Sequence, residues 1–147
     1  MKGVTIVAGF ALAMACGKAE TPQSEAQGGG GGGGSVAVQI VSPENGDSTG
    51  PDVTVDLFKL GVTIEAAAGT KVEGFGHHHL FLDTAATPAG EVIPPTSAHV
   101  IHIGTGDSTY TFKGLSPGPH TIIAVIGYGD HAAMEMRRDT VQFVVRR

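Results

Sequence analysis

The sequence predicts an all-β fold, an immunoglobulin-like antiparallel sandwich of seven to eight strands. Three observations carry that expectation. Short runs of alternating apolar and polar residues recur from Val36 onward; Gly, Pro, Asn and Asp separate them; and no stretch carries the apolar spacing of a long amphipathic helix. The 112 residues from Val36 to Arg147 are enough for one modest core. The absence of tryptophan, and of a second cysteine to make a disulfide, sets the domain apart from true antibody domains.

The chain begins with segments that do not belong to that fold. Residues 1–15 read as an export signal: Lys2 supplies a minimal basic start, and Val4 to Met14 is an apolar run of eleven residues. Eleven is too short to span a bilayer, which needs about 20. The run ends Ala13-Met14-Ala15-Cys16, a small-x-small-Cys pattern similar to a bacterial lipobox, although Ala13 stands where leucine is usual. Ala-x-Ala also suits ordinary signal peptidase. Cys16 is the only cysteine, and an unpaired thiol in an exported protein is best explained by acylation. Gly17 after the cysteine, rather than Asp, points to an outer-membrane lipoprotein facing the periplasm or the cell surface. Residues 16–35 then read as lipid-anchor cysteine plus tether. Seven consecutive glycines, Gly28 to Gly34, favour a flexible coil with a reach of roughly 25 Å. No flanking strand, helix or Lys-Ser/Thr makes this run a phosphate loop.

Removing the signal lowers the basic count from 9 to 8 against 14 acidic residues, a net charge of −6 with histidine neutral. That balance argues against nucleic-acid binding, which uses a basic stripe. Arg137-Arg138 and Arg146-Arg147 are the only basic clusters and flank the last expected strand.

The expected strands follow in order. Val36 to Val41 is the first, closed by the turn Ser42-Pro43-Glu44-Asn45-Gly46. Val53 to Leu57 is the second, with Val62 to Ile64 a continuation or a third. After a connection, Gly76 to Asp83 forms a strand that opens with three histidines. Thr84 to Ser97, rich in proline, is a crossing loop with an edge strand expected at Val92-Ile93. His99 to Ile103 and Thr109 to Lys113 are strands, and Gly104 to Asp107 between them predicts a hairpin. Leu115 to Ile122 is a turn leading into Thr121 to Gly127, the most apolar and hence central strand. Val141 to Val145 closes the sandwich.

The histidines carry the chemistry. Side chains alternate along a strand with a rise of about 3.3 Å per residue, so His77 and His79 share a face roughly 6–7 Å apart at the backbone. Two imidazoles so placed can converge on one ion at about 2.0–2.1 Å per bond. His78 points the other way, with Leu80 and Leu82. With Ile101 and Ile103 taken as core residues, His102 faces outward as His77 and His79 do. Phe81 shares that face, which suggests a partly covered site with an apolar shell. His131, in the loop after the central strand, is the fourth candidate ligand. His78, His99, Asp130 and Met134 are secondary: Asp130 could orient the His131 ring or cap its own turn, and Met134, with Met136, offers soft sulfur or plain packing. His120, at the Pro-Gly corner, reads as structural.

Imidazoles in a thiol-free exported domain suit Cu or Zn, whereas calcium would need carboxylates gathered in one loop. Hydrogen-bonded histidines in a surface patch are the alternative. Under it the domain is an immunoglobulin-like structural or interaction module of the cell envelope, with an envelope protein as partner and no metal. No catalytic nucleophile is in view: the lone cysteine sits at the processing site and no Gly-x-Ser-x-Gly elbow occurs. An open coordination position, which a metal-dependent enzyme would need, has no sequence signature.

Taken together, GHHHLFLD, IHIGTG, LSPGPHTI and GDH resemble the bacterial domain-of-unknown-function family of the DUF4399 type. The likeness runs from about Val41 to Val145. It implies a small exported β-rich domain, and it implies importance for His77, His78, His79, His102 and His131. It supplies no reaction. Relatives of this type often carry further histidines after Gly-Asp-His, where this chain has Ala132-Ala133-Met134-Glu135-Met136.

Overall fold

A computed structural model describes residues 35–147. The expected signal, Cys16 and the glycine run to Gly34 lie outside the described residues. Among those described, nine strands are present: β1 (Ala37–Ser42), β2 (Ser48–Thr49), β3 (Val53–Leu60), β4 (Thr63–Ile64), β5 (Phe75–Leu82), β6 (Val100–Ile103), β7 (Thr109–Phe112), β8 (Gly118–Gly127) and β9 (Asp139–Val145). Eight of these match the expected runs, β4 within Val62 to Ile64; only the two-residue β2 is not among them. No helix among the described residues is long and apolar enough to cross a membrane.

The strands form an all-β sandwich. One sheet has the order β1-β3-β7, and the other β2-β9-β8-β5-β4 with β6 also against β5. β5 is central. It pairs antiparallel with β8 from His77 to Leu82. Along its other edge it meets β4 in parallel at Phe75 and Gly76, then β6 antiparallel from His78 to Phe81.

Between the sheets, alternate residues of β1 and β3 (Val38, Ile40, Val53, Val55, Leu57) pack against Leu80, Leu82, Ile101, Ile103, Ile122, Ala124 and Ile126. A second, smaller core lies on the outer face of the larger sheet, where Phe81, Val100 and Val125 are covered by Ile93 and Ala133 from loops. This explains why β5 and β8 are apolar on both faces and lose the simple alternation of β1 and β9.

The expected hairpin at Gly104–Asp107 is not formed. β6 pairs with β5, whereas β7 pairs with β3 in the opposite sheet. The turn carries the chain across the sandwich instead, because Ile103 and Phe112 reach the shared core from different sheets. The edge strand expected at Val92-Ile93 reduces to one bridge, Val92 to Ala132.

Candidate metal centre

Each part of the site follows from strand alternation. On β5 the even positions 78, 80 and 82 face the inter-sheet core, so His77 and His79 project from the outer face. β6 is paired so that His79 lies opposite His102, and Ile101 and Ile103 take the inner face. That register brings the His79 and His102 rings into a stack with centroids 5.0 Å apart and planes 11° apart.

The fourth ring comes from a loop. His131 follows β8 in a tight turn, its N–H donating to the Tyr128 carbonyl at 2.8 Å and its carbonyl accepting from Ile93 N at 2.9 Å. Its φ is +68°, a left-handed conformation uncommon for a residue with a side chain. The His131 centroid thereby stands 4.9 Å from that of His77 and 4.7 Å from that of His102. One potential ligand atom from each of His77, His79, His102 and His131 lies within 4.8 Å of all the others. His77 and His79 are fully buried, and His102 and His131 are half-buried at the mouth.

No carboxylate belongs to the group. The closest approach is between the Nε2 atoms of His77 and His79, at 2.9 Å. Two lone pairs at that distance require either one shared proton or a shared cation. Nδ1 of both rings, and Nε2 of His102, are buried with no hydrogen-bond partner among the described residues. The rings are therefore seated by packing rather than by the carboxylate or carbonyl that usually orients a metal-bound imidazole.

Burial, reinforced by the neighbouring imidazoles, pushes His77 down to about 4 and His79 down to about 2. His102 is lowered for the same reasons. These rings stay neutral at physiological pH, the state in which imidazole coordinates a metal.

Two glycines make the space. A Cβ on Gly127 would stand 3.0 Å from His79 Nε2, and one on Gly104 would stand 2.5 Å from His102 Nε2. The sequence gives little notice of either; the signal it carries is a glycine ending an otherwise apolar strand, as Gly127 does.

The secondary candidates lie elsewhere. His78 is fully buried on the inner face of β5. Nδ1 of His99 is 3.0 Å from the Leu82 carbonyl oxygen, at the far end of the strand from His77. Asp130 accepts the Ala132 N–H at 3.1 Å and so caps its own turn. Met134 is buried in the inter-sheet core. His120, expected to be structural, has Nδ1 2.7 Å from an Asp83 carboxylate oxygen and Nε2 2.8 Å from the Ser116 carbonyl.

Comparison with known proteins adds three findings. Residues 53–146 match the family described as "Domain of unknown function (DUF4399)". No curated protein matches. A solved structure titled "Structures of Clostridium thermocellum CbhA fibronectin(III)-like modules" is similar at 14% identity and a TM-score of 0.46, covering 77% of this chain and 47% of that one.

Proposed function

From the premise that this chain belongs to the DUF4399 family, we propose that it is an exported metal-handling protein. In this reading it binds one Cu or Zn ion through His77, His79, His102 and His131, and Cys16 tethers it by lipid to the outer membrane. One observation carries the metal reading: four imidazoles from two strands and a loop converge within 4.8 Å without a carboxylate among them.

The donor set fits. Bonds of about 2.0–2.1 Å put two nitrogens of one tetrahedral ion roughly 3.3 Å apart, so the His77–His79 pair at 2.9 Å has to open slightly and the wider pairs, within 4.8 Å, have to close to share it. Borderline nitrogen donors suit Cu(II) and Zn(II). The pairing Ala15-Cys16 and the glycine run support the tether. A bound ion would supply charge to replace the missing protons between the rings; the protein's part is to hold the rings neutral, packed and half-covered.

Calorimetric titration of the purified protein with Cu(II) and with Zn(II) tests the reading. Near-stoichiometric binding is expected, lost in a His77→Ala/His79→Ala variant that stays folded. Equal binding by that folded variant would place the metal elsewhere and end the proposal. A melting temperature indifferent to one equivalent of either metal would favour an interaction module instead.

A further inference from the structure

The four imidazoles are not held equally. His77 and His79 sit on the central strand β5, whereas His102 is one residue from the end of β6, which pairs only with β5, and His131 stands in a turn outside any strand. Keeping the four together therefore depends on what holds the turns beside His102 and His131.

One segment touches both turns. Residues 65–74 leave β4 and return to β5, and the base of this strap is pinned beside His77: Glu65 N–H donates to the Gly76 carbonyl at 2.9 Å, and Thr63 N–H to the Gly74 carbonyl at 2.8 Å. Midway, Ala67 N–H donates at 3.3 Å to the carbonyl of Gly104, the residue that crowds His102 Nε2. Gly69 N–H donates at 2.9 Å to the carbonyl of Gly129, two residues before His131. Thr70 lies so close to that glycine that a Cβ on Gly129 would overlap the Thr70 carbonyl oxygen. Beside it, Tyr128 donates its hydroxyl to Glu73 at 2.9 Å, and Lys71 Nζ stands 4.3 Å from the centre of the Tyr128 ring. The strap has no apolar anchor of its own. From 65 to 74 every residue is exposed except the half-buried Ala67. A segment with so few buried contacts opens far more readily than the fold around it.

Resting on the four-histidine reading, we propose that the strap of residues 65–74 is a release latch for the metal. Closed, it ties the Gly104 and Gly129 turns together and so keeps His102 and His131 against His77 and His79. Open, it lets the outer pair part and the ion leave, while the two rings on β5 stay in place. Such coupling is reciprocal: if closure tightens metal binding by some factor, bound metal favours closure by the same factor.

The protein is loaded with one equivalent of whichever metal it binds, Zn(II) or Cu(II). Gly129→Ala forces the latch without touching a ligand, since the three atoms nearest the new methyl all belong to the Thr70 backbone. Transfer of the metal to a chelator should quicken at least about tenfold, the lower end for losing a group that orients a ligand. Gly50→Ala, which meets nothing within 4 Å, should leave the rate unchanged. Tyr128→Phe, which drops only the bond to Glu73, should quicken transfer too and serves if Gly129→Ala misfolds. In wild type, metal should slow hydrogen exchange at the Ala67 and Gly69 amides at least about tenfold. The Leu115 amide, bonded to the Pro51 carbonyl before β3, is the reference that should not respond. Unchanged exchange at both strap amides, or unchanged transfer in the folded variants, overturns the latch and leaves the metal site standing. If wild type binds neither metal, the four-histidine reading falls and the latch falls with it.

Discussion

The Nε2 atoms of His77 and His79 approach to 2.9 Å on the outer face of β5, closer than the 6–7 Å or so that separates their backbones. Convergence of that kind is not what two solvated surface histidines do. It requires the rings to be tilted together and held, and both are fully buried. The consequences can be measured at each group that holds them.

His131 is the most informative single position. Its φ of +68° is one that glycine adopts freely and a branched chain resists, at a cost of about 1–2 kcal/mol. His131→Gly should therefore leave metal-free stability within about 1 kcal/mol of wild type, relief of strain offsetting the added backbone freedom. Metal affinity should fall at least tenfold. Urea denaturation and metal titration of the same variant check the two halves. A glycine variant that binds metal as wild type does removes His131 from the ligand set.

Gly127→Ala tests the packing argument. Its Cβ would stand 3.0 Å from His79 Nε2 and 3.1 Å from Ile93 Cδ1. The ring must turn or Ile93 must retreat, and either change loosens the alignment with His77. Metal affinity is expected to drop about 10- to 100-fold, the range for losing a group that orients a ligand, with the fold intact by circular dichroism. Gly104→Ala should act the same way through His102, whose Nε2 would be 2.5 Å from the new methyl.

Much of this was legible in the sequence because alternation is local. Counting in twos from Leu80, Leu82, Ile101 and Ile103 puts His77, His79 and His102 on one face, and the rings do face together. What stayed hidden depended on partners. Ile103 and Thr109 flank a glycine-rich turn that reads the same whether the chain doubles back or crosses between sheets. The two-residue strand β2 exists only through its parallel neighbour β9. The left-handed turn at His131 arises from its bonds to Tyr128 and Ile93, distant or irregular features with no sequence period.

The clasp between His120 and Asp83 should lose strength as pH rises. Both ring nitrogens of His120 face acceptors, the Asp83 carboxylate and the Ser116 carbonyl, so only the doubly protonated ring satisfies both. Burial opposes that charge, but the Ser116 carbonyl and Asp83 outweigh it, and His120 is raised above its ordinary 6.5. A raised folded value means the stabilisation is complete below about 6.5 and disappears as pH climbs through the folded value. His120→Gln should cost about 1.5–3 kcal/mol at pH 6 and clearly less at pH 9. A stability gap that does not narrow with pH would show the ring to be neutral in the folded state.

The buried imidazoles of β5 set the opposite trend on the acid side. His77 and His78 are held near 4 and His79 near 2, in each case chiefly by burial, against 6.5 in the unfolded chain. Below about 6.5 the unfolded state takes up protons that the folded state refuses, so metal-free stability must fall as pH drops toward 4. Each group adds a slope of roughly 1.4 kcal/mol per pH unit while that difference lasts. His120 adds no slope there, because it is protonated in both states once pH is well below 6.5. Urea denaturation at pH 7, 6 and 5 should show the decline in wild type and a shallower one in His78→Leu. That variant should also be about 1–3 kcal/mol more stable at pH 7, having lost two unpaired nitrogens from the core. An equal slope in both proteins would mean that His78 takes a proton, and hence a partner, inside the folded sandwich.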